Sequence, residues 1–120
     1  MALFTIEGAR DELERLLPLL DEFVVVRAEA AEIGASLRDG GTPTSLGGLP
    51  EFKAAQARLD DLMTQVQETG VELKGVAPLL LDFPARLDGE DVLLCWLEGD
   101  DRLGWYHRTD LGFAGRRPLP

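Results

Sequence analysis

The first third of the chain repeats an apolar residue at alternating intervals of three and four positions. Spacing of this kind lines up apolar side chains along one face of an α-helix, where they pack against a neighbouring element. Only Arg27 interrupts the pattern. We therefore predict a long helix over residues 6–38, whose apolar face consists of Leu13, Leu16, Leu20, Phe23, Ala30, Gly34 and Leu37.

Three residues mark the beginning of this helix and a bend within it. Thr5 is a suitable N-cap because its hydroxyl accepts a hydrogen bond from a free N–H of the first turn, and Glu7 places a negative charge near the positive end of the helix dipole. Pro18 lacks the N–H that the helix needs and clashes with the preceding turn. A bend near Pro18 is therefore expected.

A second apolar stripe predicts a second helix over residues 50–69, ended by Gly70. The polar, glycine-rich segment 39–49 between the helices is short, which favours an antiparallel hairpin. At roughly 1.5 Å per residue the first helix is about 50 Å long and the second about 30 Å. Residues 6–17 should therefore extend past the hairpin. The second stripe consists of Phe52, Ala55, Leu59, Leu62 and Val66.

Apolar and aromatic runs in the second half predict a small antiparallel β-meander over residues 71–108. The runs are separated by Asp88-Gly89 and by Gly99-Asp100-Asp101, and an Asp-Gly pair between apolar runs is typical of a β-hairpin. The Gly- and Pro-rich end of the chain is expected to be an irregular tail. The result is an α+β fold in a single domain, residues 1–120, with the helical hairpin packed on the meander.

The predicted turns also determine which strand residues lie opposite one another. If the first turn is centred on Asp88-Gly89, Asp82 lies opposite Cys95, and if the second turn is centred on its two aspartates, Trp96 lies opposite Trp105. Leu94 then lies opposite His107, and Cys95 lies on the other face of the sheet. A Cys–His nucleophile pair is therefore not expected. A slip of one residue in the turn would exchange these faces.

Composition and charge restrict the classes of function. The 120 residues carry a formal net charge of −10, which disfavours binding of nucleic acid because its phosphates would be repelled. A single cysteine excludes an internal disulfide and a zinc site built from several cysteines. The sequence has neither a long apolar run nor a signal-peptide pattern, so we expect a cytoplasmic protein without a membrane partner.

Several short motifs match those of a known family. They are FT near the start, V-x-x-KG, DFPA-x-x-DG, V-x-LCW and WYH-x-x-D-x-GFAGR-x-P. With these motifs the chain resembles, over nearly its whole length, a prokaryotic family called domain of unknown function 2203, or DUF2203. The resemblance supports a helix pair with a sheet and implies a bacterial source. It implies no reaction, because the family has no established activity.

The end of the aromatic hairpin provides a candidate ligand site. His107, Asp110 and Arg116 lie beside Trp105 where the last strand passes into the tail, and Asp82 is a further candidate residue of the site. A histidine near carboxylates can bind a metal ion or transfer a proton, and an arginine can clamp a carboxylate or phosphate. The alternatives are a structural histidine and an Arg116 that pairs with Asp110 or Asp82 to attach the tail.

Two functions remain open from the sequence. The helical stripes, together with the absence of a recognisable catalytic motif, favour an interaction or structural module that forms a homodimer through its helical hairpin, and a protein partner also fits. The alternative is a protein, with or without enzymatic activity, that binds a small anion or a metal ion around His107, Asp110 and Arg116. The sequence indicates no particular cofactor.

Overall fold

Two helices and a five-stranded antiparallel sheet make up the computed structural model, which describes residues 3–41 and 43–120. The helices are α1, Ile6–Arg38, and α2, Leu49–Gln67. No helix in the described part of the chain has the length and apolar character to cross a membrane. The strands, adjacent in chain order, are β1 Glu72–Val76, β2 Leu79–Leu87, β3 Glu90–Leu97, β4 Trp105–Arg108 and β5 Arg117–Pro118. The predicted α+β fold is confirmed.

The hydroxyl of Thr5 caps α1, as the sequence predicts. Its Oγ1 accepts a hydrogen bond from the N–H of Gly8 at 2.9 Å, which satisfies one of the free donors of the first turn. Helix α1 continues through Pro18 as a single helix. The bend expected at Pro18 stays a prediction.

The chain divides into two compact units, and the division falls within α1. The first unit combines the residues up to Leu16 with those from Val66 onward, and the second extends from Leu17 to Gln65. The first turns of α1 thus belong with the sheet, as the unequal helix lengths predict. That the whole chain is a single domain stays a prediction.

The second unit is an antiparallel helical hairpin. Gly34 of α1 lies against the ring of Phe52 of α2, and Arg58 of α2 donates a hydrogen bond through Nη2 to Glu22 of α1 at 2.7 Å. Part of each apolar stripe is buried in this hairpin, and the packing of these side chains between the two helices stabilises the unit. Its buried apolar side chains are Leu20, Phe23, Ala30, Ile33 and Leu62.

The first unit packs the start of the chain on one face of the sheet, which we call the inner face. The ring of Phe4 contacts the ring of Phe83 edge-on, with 5.4 Å between centroids, and Arg10 donates through Nε to the carbonyl of Leu103 at 3.1 Å. Strand alternation gives the inner face a nearly continuous apolar surface. Its buried members are Leu79, Leu81, Phe83, Ala85, Val92, Leu94 and Trp96.

The predicted register is correct for the first hairpin of the meander and wrong for the second. Strands β2 and β3 pair as predicted, around a turn in which Asp88 and Gly89 both have positive φ. Between β3 and β4, however, Cys95 pairs with Trp105, and Leu93 with His107. Neither Trp96–Trp105 nor Leu94–His107 is a pair. The slip places Trp105 and His107 on the outer face, together with Cys95.

The physical cause of this register shift is the connection between β3 and β4. It is not a tight turn centred between Asp100 and Asp101. Instead the N–H of Asp100 donates to the carbonyl of Leu97 at 2.8 Å, the carboxylate of Asp100 accepts from the N–H of Leu97 at 3.0 Å, and Gly99 between them adopts φ 100°. This local closure leaves an odd number of residues between opposed strand positions and shifts the register by one.

The tail is more ordered than predicted. It crosses the outer face, forms one 3₁₀ turn at Phe113–Gly115, and returns as β5 along β4. Tyr106 pairs with Arg117, and the N–H of Leu119 donates to the carbonyl of Gly104 at 2.8 Å. The tail thereby becomes a fifth strand of the sheet.

Candidate metal centre

Three side chains of different chemistry meet on the outer face of the sheet. Asp82 of β2 lies directly opposite Cys95 of β3, and His107 of β4 lies diagonally across from Cys95, because its direct partner is Leu93. One ligand atom from each of the three lies within 4.8 Å of the other two. All three residues are buried. We call them the Asp–Cys–His cluster.

The hydrogen bonds of His107 assign a role to each ring nitrogen. Nδ1 lies 2.9 Å from the backbone carbonyl of Arg108, which only accepts, so Nδ1 carries a hydrogen and donates. Nε2 lies 3.2 Å from both carboxylate oxygens of Asp82. One proton therefore lies between His107 and Asp82, either on the ring of an ion pair or on the acid of a neutral pair.

The carboxylate of Asp82 is out of contact with bulk water. Burial raises its pKa above the ordinary value of 3.8, and the charge of His107 and the hydrogen bond to it lower the pKa in part. The charge of Lys74 acts in the same direction as His107. Asp82 is thus a buried acid whose ionisation depends on a neighbouring cation.

Cys95 is held as a thiol. Burial raises its pKa to about 12, and the negative charge of Asp82 acts in the same direction. The two nitrogens of His107 already contact the Arg108 carbonyl and Asp82, so His107 has no free nitrogen to deprotonate the thiol. The expected absence of a Cys–His nucleophile pair does not follow from opposite faces, since the two residues share a face. That no Cys–His nucleophile pair operates stays a prediction.

Arg116 covers one side of the cluster. Its guanidinium lies between two aromatic rings, 4.5 Å from the centroid of Trp105 and 4.6 Å from that of Phe113. Its positive charge lowers the pKa of Cys95 against the larger effect of burial. Nη1 of Arg116 is buried and has no hydrogen-bond partner among the described residues, and the nearest carboxylate oxygen, of Asp100, forms an ion pair at 3.6 Å.

A cavity of about 320 Å³ lies beside the cluster along the strands. Pro84 and Leu93, the outer-face neighbours of Asp82 and Cys95 on their strands, form part of its wall. Lys74 lines it as well and makes an ion pair with Glu72 at 2.9 Å. The wall of the cavity thus includes strand neighbours of the cluster and none of its three residues.

The structure brings together four of the five residues predicted from the sequence. Asp82 and His107 are in contact, Trp105 pairs with Cys95, and Arg116 stacks on Trp105. Asp110 is outside the group. It is exposed and forms an ion pair with Arg108 at 3.2 Å. The carboxylate that pairs with Arg116 is that of Asp100, not Asp110 or Asp82.

Cys95 is the residue that the sequence analysis omitted from the site. The correctly predicted pairing of β2 with β3 already put Cys95 opposite Asp82. Only the misplaced register of β4 separated Cys95 from His107. The alternation of side chains along β2 and β3, which puts Asp82 and Cys95 on the same face, was therefore the sequence signal for the cluster.

Comparison with known families gives one match. The model of a family described as "Uncharacterized conserved protein (DUF2203)" matches residues 2–119. Neither curated proteins nor solved structures give a match to the chain.

Proposed function

The chain belongs to the DUF2203 family, and we propose that this member binds a divalent transition metal ion through Asp82, Cys95 and His107. The observation that carries the proposal is the convergence of a carboxylate oxygen, a sulfur and an imidazole nitrogen within 4.8 Å, on buried side chains from three adjacent strands. Strands hold ligands more rigidly than loops do, which favours a defined geometry.

The arrangement of His107 supports this proposal. Histidine ligands in metal sites commonly donate the second ring N–H to a backbone carbonyl, which fixes the tautomer and aims the other nitrogen at the metal. The Nδ1 contact with the Arg108 carbonyl leaves Nε2 as the ligand atom. When a nitrogen and an oxygen each bind a metal ion at about 2.0 Å with a tetrahedral angle between the two bonds, the nitrogen and the oxygen lie about 3.3 Å apart. The observed distance from Nε2 to Asp82 is 3.2 Å.

The charges of the ligands suit a dication. A thiolate, a carboxylate and a neutral imidazole together neutralise a charge of about +2, so the loaded site places no net charge in the low-dielectric interior. Sulfur and imidazole ligands favour zinc and the later first-row metals over magnesium and calcium. Three protein ligands leave one tetrahedral position for a ligand from solution, as in zinc sites that carry out catalysis.

Metal analysis of untagged protein purified without chelators tests the proposal. We expect about one zinc ion per chain, and after exchange with cobalt(II) a thiolate-to-cobalt charge-transfer absorption. Cys95→Ser should abolish that absorption, and Asp82→Asn should weaken metal binding about 10–100-fold or more. Asp110→Asn is the matched control, because it removes a nearby exposed carboxylate outside the cluster.

The proposal fails if folded wild-type protein takes up no metal, or if Cys95→Ser and Asp110→Asn bind cobalt with the same absorption spectrum. Circular dichroism of each variant verifies the fold. Asp82→Asn provides a second test that leaves the sulfur in place, so the conclusion does not depend on the folding of Cys95→Ser alone.

The homodimer and the cytoplasmic location stay predictions. The helical stripes that motivated the dimer are buried in part within the hairpin, where Leu20, Phe23, Ala30 and Leu62 are buried and Leu37, Phe52, Ala55 and Leu59 are half-buried. The apolar side chains left exposed on this unit are Leu17, Val25 and Leu49, with Val25 at 54% exposure. Light scattering on a sizing column measures the assembly, and a monomer at high micromolar concentration would contradict the dimer.

A further inference from the structure

We infer that the fourth metal position takes an oxyanion, a carboxylate or a phosphate, whose second oxygen is bound by Arg116. This inference rests on the proposed metal site, since the metal supplies one of the two contacts. The ligand needs two oxygens on one centre, so that one contacts the metal and the other accepts a hydrogen bond from the guanidinium.

Arg116 is already oriented for this contact. The rings of Trp105 and Phe113 lie against its guanidinium at 4.5 Å and 4.6 Å, which fixes the plane of the donor fork. The side chain is only 24% exposed, so much of its hydration is lost. Burying such a group is unfavourable unless its N–H groups find partners.

One donor of this guanidinium has no partner among the described residues. Nη1 of Arg116 is buried without a hydrogen-bond partner in the described part of the chain, and Oδ2 of Asp100, with which it forms an ion pair, lies 3.6 Å away. That oxygen already accepts the N–H of Leu97 at 3.0 Å, and this bond closes the β3–β4 turn. Asp100 is therefore fixed by the turn and does not satisfy Nη1. An anion from solution would.

The position of Arg116 brings this donor to the metal ligands. Trp105, on which the guanidinium stacks, is the direct cross-strand partner of Cys95. The guanidinium thus lies against the residue that pairs with Cys95. A ligand between metal and guanidinium completes the coordination.

The chemistry of arginine selects the class of ligand. A guanidinium presents parallel N–H groups that match the oxygens of a carboxylate or phosphate, and such charge-assisted hydrogen bonds are stronger than neutral ones. Because Cys95 and Asp82 already neutralise the metal, Arg116 provides the positive charge that attracts an anion into an acidic protein of net charge −10.

Cobalt-loaded protein tests the inference with inorganic phosphate and acetate as probes. We expect each anion to shift the visible cobalt bands saturably in the wild type, and we expect metal-free protein to bind neither. Arg116→Gln should weaken the response at least about tenfold. Arg116→Lys keeps the charge and loses the planar fork, so its affinity for the anions should lie between those of the wild type and Arg116→Gln. The control is Arg117→Gln, the same substitution at the exposed neighbour in β5.

Separate readouts distinguish failure of the metal site from failure of the role proposed for Arg116. If the charge-transfer absorption does not form before any anion is added, the metal site itself is refuted. If it forms but neither anion changes the visible bands, or if Arg116→Gln and Arg117→Gln respond alike, the metal site stands and the role of Arg116 is refuted. Thermal melting of each variant verifies its fold, and Arg116→Lys keeps the test valid should Arg116→Gln unfold.

Discussion

Asp82 and His107 lie on strands that are not neighbours, yet Nε2 of His107 is 3.2 Å from each carboxylate oxygen of Asp82. Strand β3 lies between β2 and β4, and the residue it contributes at this point is Cys95. A cysteine side chain is small enough for the two longer side chains to meet over the middle strand. The same small residue adds the third potential ligand, so the Asp82–His107 contact and the proposed metal site both depend on Cys95.

The buried carboxylate gives a prediction about pH and stability. Because the folded-state pKa of Asp82 is raised above 3.8, its contribution to the free energy of unfolding is largest at low pH and is lost as pH rises through the raised pKa. The side chain of the Asp82→Asn variant does not titrate. As pH rises through the raised pKa of Asp82, the free energy of unfolding of the wild type should therefore fall relative to that of the variant. Urea unfolding of metal-free protein between mildly acidic and neutral pH measures it.

The matched comparison is Asp110→Asn, whose carboxylate is exposed. The difference in free energy of unfolding between Asp110→Asn and the wild type should stay nearly constant over the same pH range. A constant difference for Asp82→Asn as well would contradict the raised pKa.

The state of Cys95 predicts its reactivity. With a pKa of about 12 and no exposed surface, the thiol of metal-free native protein should react with iodoacetamide near pH 8 at least about a thousandfold more slowly than an ordinary cysteine. In urea the thiol should react at the ordinary rate. Mass spectrometry of timed samples measures both rates, and rapid native labelling would show that the outer face opens readily.

Metal binding should release protons. The Cys95 thiol and the proton between His107 and Asp82 must both leave when the three atoms ligate an ion, which predicts about two protons released per ion at neutral pH. Calorimetry in buffers of different ionisation enthalpy counts them. In Cys95→Ser, if any metal binds, the number should fall to about one. A wild-type value near zero would exclude coordination by the thiolate.

The close approach of the helices in the second unit predicts a coupling between two residues. A Cβ at Gly34 would lie 2.9 Å from Cε1 of Phe52. Gly34→Ala should therefore not give the gain of about 1 kcal/mol that alanine brings within a helix. In the background of Phe52→Leu, which removes the ring, the same substitution should stabilise.

Thermal or urea unfolding of the two single variants and the double variant tests this coupling. The expected interaction free energy is about 0.5–3 kcal/mol, as for residues in direct contact. Additive effects of the two substitutions would mean that the ring moves aside freely.

Periodicity was sufficient to predict the helices and the first hairpin. The spacing from Leu13 to Leu37 is a property of local sequence, and Asp88-Gly89 has the conformational freedom that a two-residue turn requires. The start of α1 was equally local, because Thr5 caps it with its own hydroxyl.

The face of β4 was not predictable in the same way. It depends on how Asp100 uses both its main chain and its side chain to bond Leu97, and several turns fit the same letters. The error in the β4 register also made the predicted site wrong, because it assigned His107 to the wrong face and left Cys95 out. Asp110 was included because it is close in sequence, although its side chain pairs outward with Arg108.

The connection between Leu97 and Trp105 therefore has a genetic consequence. Inserting or deleting a single codon there could leave every residue of the Asp–Cys–His cluster in the gene and still abolish it, since a shift of one position turns His107 to the inner face. A pair of codons would be tolerated better than one. In this protein the turn closed by Asp100, which lies outside the Asp–Cys–His cluster, therefore decides whether His107 shares a face with Asp82 and Cys95.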